Sequence, residues 1–317
     1  MPGRRHVLKQ LAGAIGAQAL TGMAARRVFA GSPAPDPGAP TLSQITPNVT
    51  LLSGLGGNVV ALSTADGLAI IDSGAPEHSG QLLKALAALP GGTNIRTVFN
   101  THWHWEHTGG NEALRKAGAQ IIAHENTRLW LSTQVIEEWE NRTYKPRSPQ
   151  ALPTSTFYTK TNQFTFGNEP IEYGWLGQAH TDGDIYVYLR GQNVLVAGGV
   201  LTVGRYPVLD YCTGGWIMGM RDATQKLLDL SNDQTRIIPG TGPVQTRADL
   251  KAEHDMLAAM HEKVWALMRK GMTASEILAA KASADFDPKW GDPKQFITCA
   301  YQGIYGHIAD FLGKGVV

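Results

Sequence analysis

Between residues 49 and 72, short apolar runs typical of β-strands are separated by turn residues, first by glycines at 54, 56 and 57. The Asp66-Gly67 pair in this region is a strong hairpin signal. The pattern then becomes helical, with leucines at 82, 83, 86 and 89 ahead of a Pro-Gly-Gly stop. Strands are predicted at residues 49–52, 58–62, 68–72 and 95–100, with a helix at 76–89.

The same order of strands followed by helices recurs in the second half of the chain. Residues 126–139 carry apolar side chains at helical spacing, and a polar, proline-bearing loop is predicted at 141–156. Two such sets predict two mixed sheets packed face to face with helices outside, a four-layer α/β domain. The later strands are predicted at 164–175, 185–189, 194–197 and 236–238, and the later helices at 214–230, 247–270 and within 272–312.

Composition narrows the choice of partners. The net charge of +1 gives no reason to expect nucleic acid or an acidic membrane surface as partner. No apolar run reaches the roughly 18 to 20 residues of a membrane span, so stable membrane insertion is not expected. Cys212 and Cys299 are the only cysteines, and either one bridge or two free thiols fits them. We expect a small-molecule substrate, and the sequence leaves the oligomeric state open.

The N-terminus has the features of an export signal. Arg4-Arg5 precedes a bulky apolar residue and a lysine, which resembles the twin-arginine pattern, and a weakly apolar stretch follows. Residues 1–30 are therefore predicted to be a signal peptide cleaved after Ala30, and the proline-rich residues 31–41 a flexible linker. This segment predicts a periplasmic protein.

Residues 101–111 hold the most distinctive chemistry in the chain. His102, His104 and His107 lie within six positions, and Glu106 is among them. An extended segment points side chains two residues apart in the same direction, so His102 and His104 are expected to face one site. Two imidazoles so placed are a common start of a zinc or iron site.

This stretch, together with His180 and the later Pro239-Gly240, resembles the metallo-β-lactamase superfamily. The resemblance runs from about residue 45 to 270 and includes the Asp72-Ser73-Gly74 turn. It implies the four-layer αββα fold over residues 42–270, and the remaining residues 271–317 are predicted to be a helical C-terminal extension packed on that domain.

The resemblance also implies a first metal site formed by His102, His104 and His180. Three neutral imidazoles and a water are the usual donors of a catalytic zinc with an open position. We therefore expect Zn²⁺ as the cofactor. A metal-bound hydroxide would attack a carbonyl or phosphoryl centre, in an amide, ester, thioester or phosphoester that includes β-lactams.

A second metal site of the family is altered in this sequence. Glu106 stands where an aspartate is usual, Gly199 aligns with the bridging aspartate, and Thr241 replaces a histidine, so only His107 is intact. We expect one tightly bound zinc, with a second ion weak or absent. Asp210 is a candidate carboxylate that could compensate for the missing ligands.

Beside a single zinc, Glu106 and His107 are the predicted catalytic groups, and either could also contact the metal. Glu106 would orient the attacking water or take its proton, and His107 would assist or donate to a leaving group. Asp72 and Thr101 are predicted to hold the ligands in orientation.

Two other classes of protein remain open. The losses at Gly199 and Thr241 are compatible with a non-catalytic metal-binding or scaffold protein that retains the fold. A non-heme iron oxidoreductase on the same fold is the second alternative, although the carboxylate such a site needs is missing at Gly199.

Overall fold

The computed structural model describes residues 39–159 and 161–313 of the chain. The predicted signal peptide and residues 31–38 of the predicted linker lie outside this part, and both stay predictions. The first described strand begins at Thr41, the last residue assigned to the linker.

Within residues 39–159, seven strands form one mixed sheet. These strands are β1 Thr41–Thr46, β2 Val49–Leu55, β3 Gly57–Thr64, β4 Gly67–Ile71, β5 Ile95–Phe99, β6 Gln120–His124 and β9 Ser155–Phe157. They lie side by side in that order. The pairs from β1 to β4 are antiparallel, whereas β4, β5, β6 and β9 run parallel, so β4 and β5 end at the same edge.

Between residues 161 and 313, a second sheet of five strands lies in chain order. Its strands are β10 Asn162–Phe166, β11 Glu169–Trp175, β12 Ile185–Leu189, β13 Val194–Gly198 and β14 Arg236–Pro239. Only β13 and β14 pair in parallel, and they too end at a common edge. A short hairpin of β7 Val135–Glu137 and β8 Arg142–Tyr144 stands apart from both sheets.

Helices cover the outer faces of the two sheets. Those of the first half are α1 Ser79–Ala87, α2 Trp105–Thr108, α3 Asn111–Lys116 and α4 Glu125–Ser132. Those of the second half are α5 Ile217–Leu230, α6 Arg247–Met268, α7 Ala274–Ala279, α8 Asp287–Trp290 and α9 Lys294–Gly313. The last three form the part of the chain predicted as a helical C-terminal extension.

Three apolar clusters hold these layers together, and their alternation follows from the strand period. One joins the sheets, with Leu62 and Ile71 of the first facing Val187 and Val196 of the second. On the far face of the first sheet, Ile70 and neighbours pack on α1 and α3. A third cluster joins the far face of the second sheet to α5, α6 and the C-terminal helices. The predicted four-layer α/β architecture is therefore confirmed.

The prediction of one helix over residues 126–139 was wrong. Helix α4 ends at Ser132, and Thr133 is already extended, with φ −120° and ψ 166°. Residues 135–137 then pair with β8, inside the stretch predicted to be a loop. The fully buried Trp103 packs against Leu131, Val135 and Tyr144 in this region.

Two smaller expectations concern the cysteines and the membrane. Cys212 and Cys299 are both free thiols in the structure, and Cys299 is buried. Among the described helices, none has both the length and the apolar character that crossing a bilayer requires.

Candidate metal centre

Loops from both halves of the fold meet in a cleft of about 510 Å³. Asp72 directly follows the end of strand β4, and Thr101 follows the end of β5 by two residues, so the parallel pairing of these strands brings both residues to one edge. The parallel pair β13 and β14 delivers Gly199 and Thr241 to the same cleft. His180 enters from the connection between β11 and β12.

His102, His104 and His180 form one compact group, which is the predicted ligand set. One nitrogen of each ring lies within 4.8 Å of the other two. All three residues are buried, and neighbouring ring centres are 4.7 to 4.9 Å apart. Zinc bonds imidazole nitrogen at about 2.0 to 2.1 Å, so small side-chain adjustments suffice to place all three around one ion.

The backbone beneath these ligands differs from the extended strand that was predicted. Residues 101–103 form bends, and His104 is the residue that precedes α2, with φ −54° and ψ 143°. His102 and His104 therefore converge because the chain turns into a helix and not because of strand alternation.

Hydrogen bonds assign the protons of His104 and His180. His180 Nδ1 lies 2.8 Å from the carbonyl oxygen of Val208, which can only accept, so Nδ1 carries the proton and Nε2 the lone pair. His104 Nε2 donates to the buried carboxylate of Asp210 at 3.1 Å, which leaves the lone pair on Nδ1. These two lone-pair nitrogens face each other at 3.0 Å.

The same reasoning applies to His102. Asp72 accepts two hydrogen bonds from Thr101, from its backbone N–H at 2.7 Å and from its hydroxyl at 2.8 Å. The hydroxyl proton of Thr101 is thereby used, so its oxygen accepts from Nδ1 of His102 at 3.0 Å. His102 thus keeps the lone pair on Nε2. Asp72 and Thr101 lie where they were predicted to orient a ligand.

Burial keeps the imidazoles of His102 and His180 neutral. Burial, followed by the neighbouring histidines, holds the pKa of His102 well below its usual value. Burial and His104 lower the pKa of His180 to about 3. Metal ions bind the neutral form of histidine, so near neutral pH no proton has to leave these two rings before a metal binds.

His107 and Glu106 line the cleft but lie outside this ligand group. The buried His107 donates from Nδ1 to Asp72 at 2.8 Å, and its ring centre is 4.4 Å from that of His102. The side chain of Glu106 is 43% exposed and lies 3.9 Å from the guanidinium of Arg142. The predicted catalytic pair is therefore split into a buried, oriented imidazole and a half-exposed carboxylate.

Asp210 and Glu137 form a second group behind His104. Although burial alone opposes it, the hydrogen bond from His104 leaves the pKa of Asp210 below its usual value. The sequence did not point to Glu137, which lies with His104 and Asp210 in a set whose ligand atoms are within 4.8 Å of one another. No local signal marked it, because the alternation of Val135-Ile136-Glu137 appears only in their burial and not in their residue types.

A sequence model described as the metallo-beta-lactamase superfamily matches residues 52–242, more than half of the chain. The chain belongs to this superfamily. The matched range contains the strands from β3 to β14 and every residue of the histidine group, whereas β1 and the start of β2 precede it. The resemblance carried by the histidine stretch is thus confirmed at the level of the superfamily.

Relatives in the metallo-beta-lactamase superfamily are distant in sequence. A protein named metallo-beta-lactamase type 2 from Bacillus sp. (strain 170) is 24% identical over 225 residues, or 68% of this chain and 82% of that protein. A hydroxyacylglutathione hydrolase from Thermosynechococcus vestitus is 47% identical over 56 residues, only 18% of this chain and 20% of that protein. Both names describe hydrolytic enzymes.

Solved structures of the superfamily share the fold. A metallo-beta-lactamase from Pontibacter korlensis has a TM-score of 0.56 at 21% identity, covering 69% of this chain and 99% of that one. A stereoselective inverting sec-alkylsulfatase from Pseudomonas sp. has a TM-score of 0.64 at 18% identity, covering 83% of this chain and 50% of that one.

In this member of the metallo-beta-lactamase superfamily, Gly199 lies directly against His180. A Cβ atom at this position would be 2.2 Å from Cδ2 and 2.8 Å from Nε2 of that ring. No side chain fits there while His180 stays in place. Thr241 lines the cleft on the same side, offering a hydroxyl where the resemblance implies an imidazole.

Proposed function

We propose that this protein is a zinc-dependent hydrolase that acts on a carbonyl or phosphoryl centre. One observation carries the proposal: hydrogen bonds leave lone pairs on Nε2 of His102, Nδ1 of His104 and Nε2 of His180, and the three rings bring one nitrogen each to within 4.8 Å of the other two. Two unprotonated nitrogens 3.0 Å apart repel each other unless a cation lies between them.

The donor set favours zinc over iron. Three neutral imidazoles are a common protein ligand set of catalytic zinc, whereas mononuclear non-heme iron oxygenases use two histidines and a carboxylate. The chemistry supplied by such a zinc ion is a hydroxide nucleophile near neutral pH and polarisation of a carbonyl or phosphoryl oxygen.

His107 is the group best placed to move a proton at this site. Asp72 accepts from its Nδ1 at 2.8 Å, which fixes the ring and leaves Nε2 as a base. The carboxylate also stabilises the imidazolium that forms when His107 takes a proton. We assign proton transfer to and from the reacting atoms to His107.

Glu106 has a lesser part in this scheme. Its carboxylate lines the cleft but is half exposed and faces Arg142, so it is less rigidly held than His107. We propose that Glu106 positions water or substrate at the mouth of the cleft.

One tightly held zinc is the stoichiometry that the residues support. Gly199 offers no ligand atom in its side chain, and its close approach to His180 excludes a larger residue. Glu106 and His107 do not form a group of ligand atoms with any third residue among those described.

The substrate is proposed only by class. A cleft of about 510 Å³ suits a small molecule, and the attacked group is an amide, ester, thioester or phosphoester. The relatives named as β-lactamases and as a hydroxyacylglutathione hydrolase make β-lactams and thioesters the first compounds to assay.

The experiment is a hydrolysis panel of nitrocefin, thioesters and phosphodiesters, run on zinc-loaded protein and on protein stripped of metal. Activity that disappears on stripping, returns with zinc and is absent from the His180→Ala variant supports the proposal. Metal binding without turnover of any class would favour a binding or scaffold role, and catalysis that requires iron would favour the oxidoreductase.

Export to the periplasm is part of the proposal and rests on the Arg4-Arg5 pattern and the apolar stretch after it. Cell fractionation of the protein and of an Arg4→Lys, Arg5→Lys variant tests it. We expect the wild-type protein in the periplasm and the variant in the cytoplasm. An equal distribution of the two proteins would contradict twin-arginine export.

A further inference from the structure

A pair of buried carboxylates lies behind His104, on the side away from His102 and His180. Asp210 and Glu137 are both fully buried. The carboxylate of Asp210 is 3.1 Å from Nε2 of His104, and a carboxylate oxygen of Glu137 lies within 4.8 Å of both of those ligand atoms. His104 therefore has its Nδ1 on one potential site and its Nε2 on another.

The two carboxylates differ in the hydrogen bonds that they accept. Asp210 accepts from the backbone N–H of Thr213 at 3.2 Å, from the Thr213 hydroxyl and from His104. Neither oxygen of Glu137 receives a hydrogen bond of good geometry among the described residues, and the same is true of the indole N–H of Trp139. Its polar neighbours include the carboxylate of Asp210 and that indole, with which it interacts only loosely. A buried carboxylate without well-aligned donors is costly in free energy.

No cationic side chain offsets this negative charge. Within the part of the chain that the structure describes, neither Glu137 nor Asp210 forms an ion pair with lysine or arginine. Burial, and then repulsion from Asp210, raise the pKa of Glu137 to about 9, so near neutral pH the two carboxyl groups hold one proton in place of a cation and carry one negative charge. The site is thus short of positive charge, and its donors are two carboxylates and an imidazole nitrogen.

We propose that Glu137, Asp210 and Nε2 of His104 form a second, weaker binding site for a divalent cation such as zinc. Zinc bonds carboxylate oxygen and imidazole nitrogen at about 2.0 to 2.2 Å, so atoms within 4.8 Å of one another close on one ion after small side-chain movements. Binding of the ion would release two protons to solvent, one from the carboxyl of Glu137 and one from Nε2 of His104, and His104 would then offer one nitrogen to each site.

The second ion binds more weakly for two reasons. It displaces the hydrogen bond between His104 and Asp210, which the first ion leaves in place. It also lies one imidazole ring away from the first ion, and like charges at that distance repel. The site is not the family's second site, because it does not use Glu106, His107, Gly199 or Thr241.

This proposal builds on the zinc centre proposed above, and the two can fail separately. Zinc binding is measured by calorimetry and by metal content at rising free zinc, up to about 1 mM, for the full folded protein. The wild type should bind two ions, with the second at least about tenfold weaker than the first. The variant Glu137→Gln should bind only one, with its affinity for the first ion within about threefold of wild type.

Glu253→Gln is the matched control, because Glu253 is equally buried, also has one unpartnered oxygen and lies outside both sites. It should still bind two ions. A wild type that binds a single ion would overturn this inference alone, and a Glu137→Gln variant that binds two would do the same. A wild type that binds none would contradict both proposals.

A measurement on the unaltered protein guards against misfolding of the variant. With cadmium-113 in place of zinc, nuclear magnetic resonance should give two resonances that fill in sequence. The first belongs to a site of three nitrogens and the second to a site with two carboxylates. A single resonance at saturating cadmium would overturn the second site.

Discussion

Nδ1 of His104 lies 3.0 Å from Nε2 of His180, and the hydrogen bonds around the two rings leave neither atom with a proton. Val208 and Asp210 hold the opposite nitrogens, so neither ring can turn away without losing a buried hydrogen bond. A cation between the rings would relieve the repulsion between these two lone pairs. This pair is the strongest structural support for a metal centre in the chain.

Asp210 should therefore affect the zinc affinity of the first site, although it is not a ligand of the ion bound there. In Asp210→Asn the charge that favours a proton on Nε2 of His104 is lost, so Nδ1 is a poorer ligand. We expect zinc affinity at the first site to fall by about 10- to 100-fold. Competition with a chromophoric chelator measures this, and Asp222→Asn, an exposed acid paired with Arg221, should leave affinity unchanged.

Substitutions of His107 and of Glu106 should lower kcat to different extents. His107→Ala removes the oriented base and should lower kcat by about 10²- to 10⁴-fold while one zinc stays bound. Glu106→Gln should lower kcat by about tenfold or less, since its carboxylate is half exposed. Steady-state kinetics on the best substrate of the panel measure both.

The control for this pair is Glu112→Gln, which removes an exposed acid paired with Lys116 and should leave kcat unchanged. Full activity in Glu106→Gln would show that Glu106 has no part in the reaction. A His107→Ala variant with normal kcat would contradict the assignment of proton transfer.

Much of the fold and of the histidine group could be predicted, because their signals are local. The short apolar runs at 49–72 and the leucines of α1 are signals between neighbouring residues, and three of the four cleft histidines lie within six positions. His180 is 76 residues beyond His104, and only the superfamily resemblance connected it with the first pair.

Glu137 escaped prediction for a physical reason. Trp130, Leu131, Val135 and Ile136 fit helical spacing, yet the helix ends at Ser132 because residues 135–137 pair with β8 instead. A pairing partner beyond a turn is not visible in a window of local residues. The protons of His102, His104 and His180 were equally inaccessible, since Thr101, Asp210 and Val208 define them only after folding.

Gly199 should not tolerate even a methyl group. In Gly199→Ala the new Cβ would lie 2.2 Å from Cδ2 of His180, so the ring must move and lose its alignment with His104. We expect zinc affinity to fall by about tenfold or more. Gly80→Ala is the control, because nothing lies within 4 Å of that position in α1. Equal zinc affinity in Gly199→Ala and wild type would contradict the packing described here.

Stability should depend on pH through Glu253. Burial raises the pKa of this carboxyl from 4.5 to about 8, and the backbone N–H of Thr202, at 3.0 Å, only partly opposes the shift. Between these values the folded state holds a proton that the unfolded state lacks. The contribution of Glu253 to the free energy of unfolding is therefore complete below about pH 4.5 and is lost as the pH rises through about 8.

Urea unfolding of metal-free wild type and Glu253→Gln at pH values from about 5 to about 9 measures this effect. The difference in unfolding free energy between the two proteins should change with pH, with wild type losing stability faster towards the alkaline end. Glu137, whose pKa is also raised, acts in the same direction in both proteins and cancels in the comparison. Parallel pH curves would contradict the assignment.

The most direct test of the central claim is the zinc content of the purified protein after loosely held metal has been removed. Mass spectrometry of metals should find about one zinc per wild-type chain and none in His102→Ala or His180→Ala, each compared with wild type for correct folding by circular dichroism. Two tightly held ions per chain, or one zinc retained in both variants, would contradict a single centre built from His102, His104 and His180.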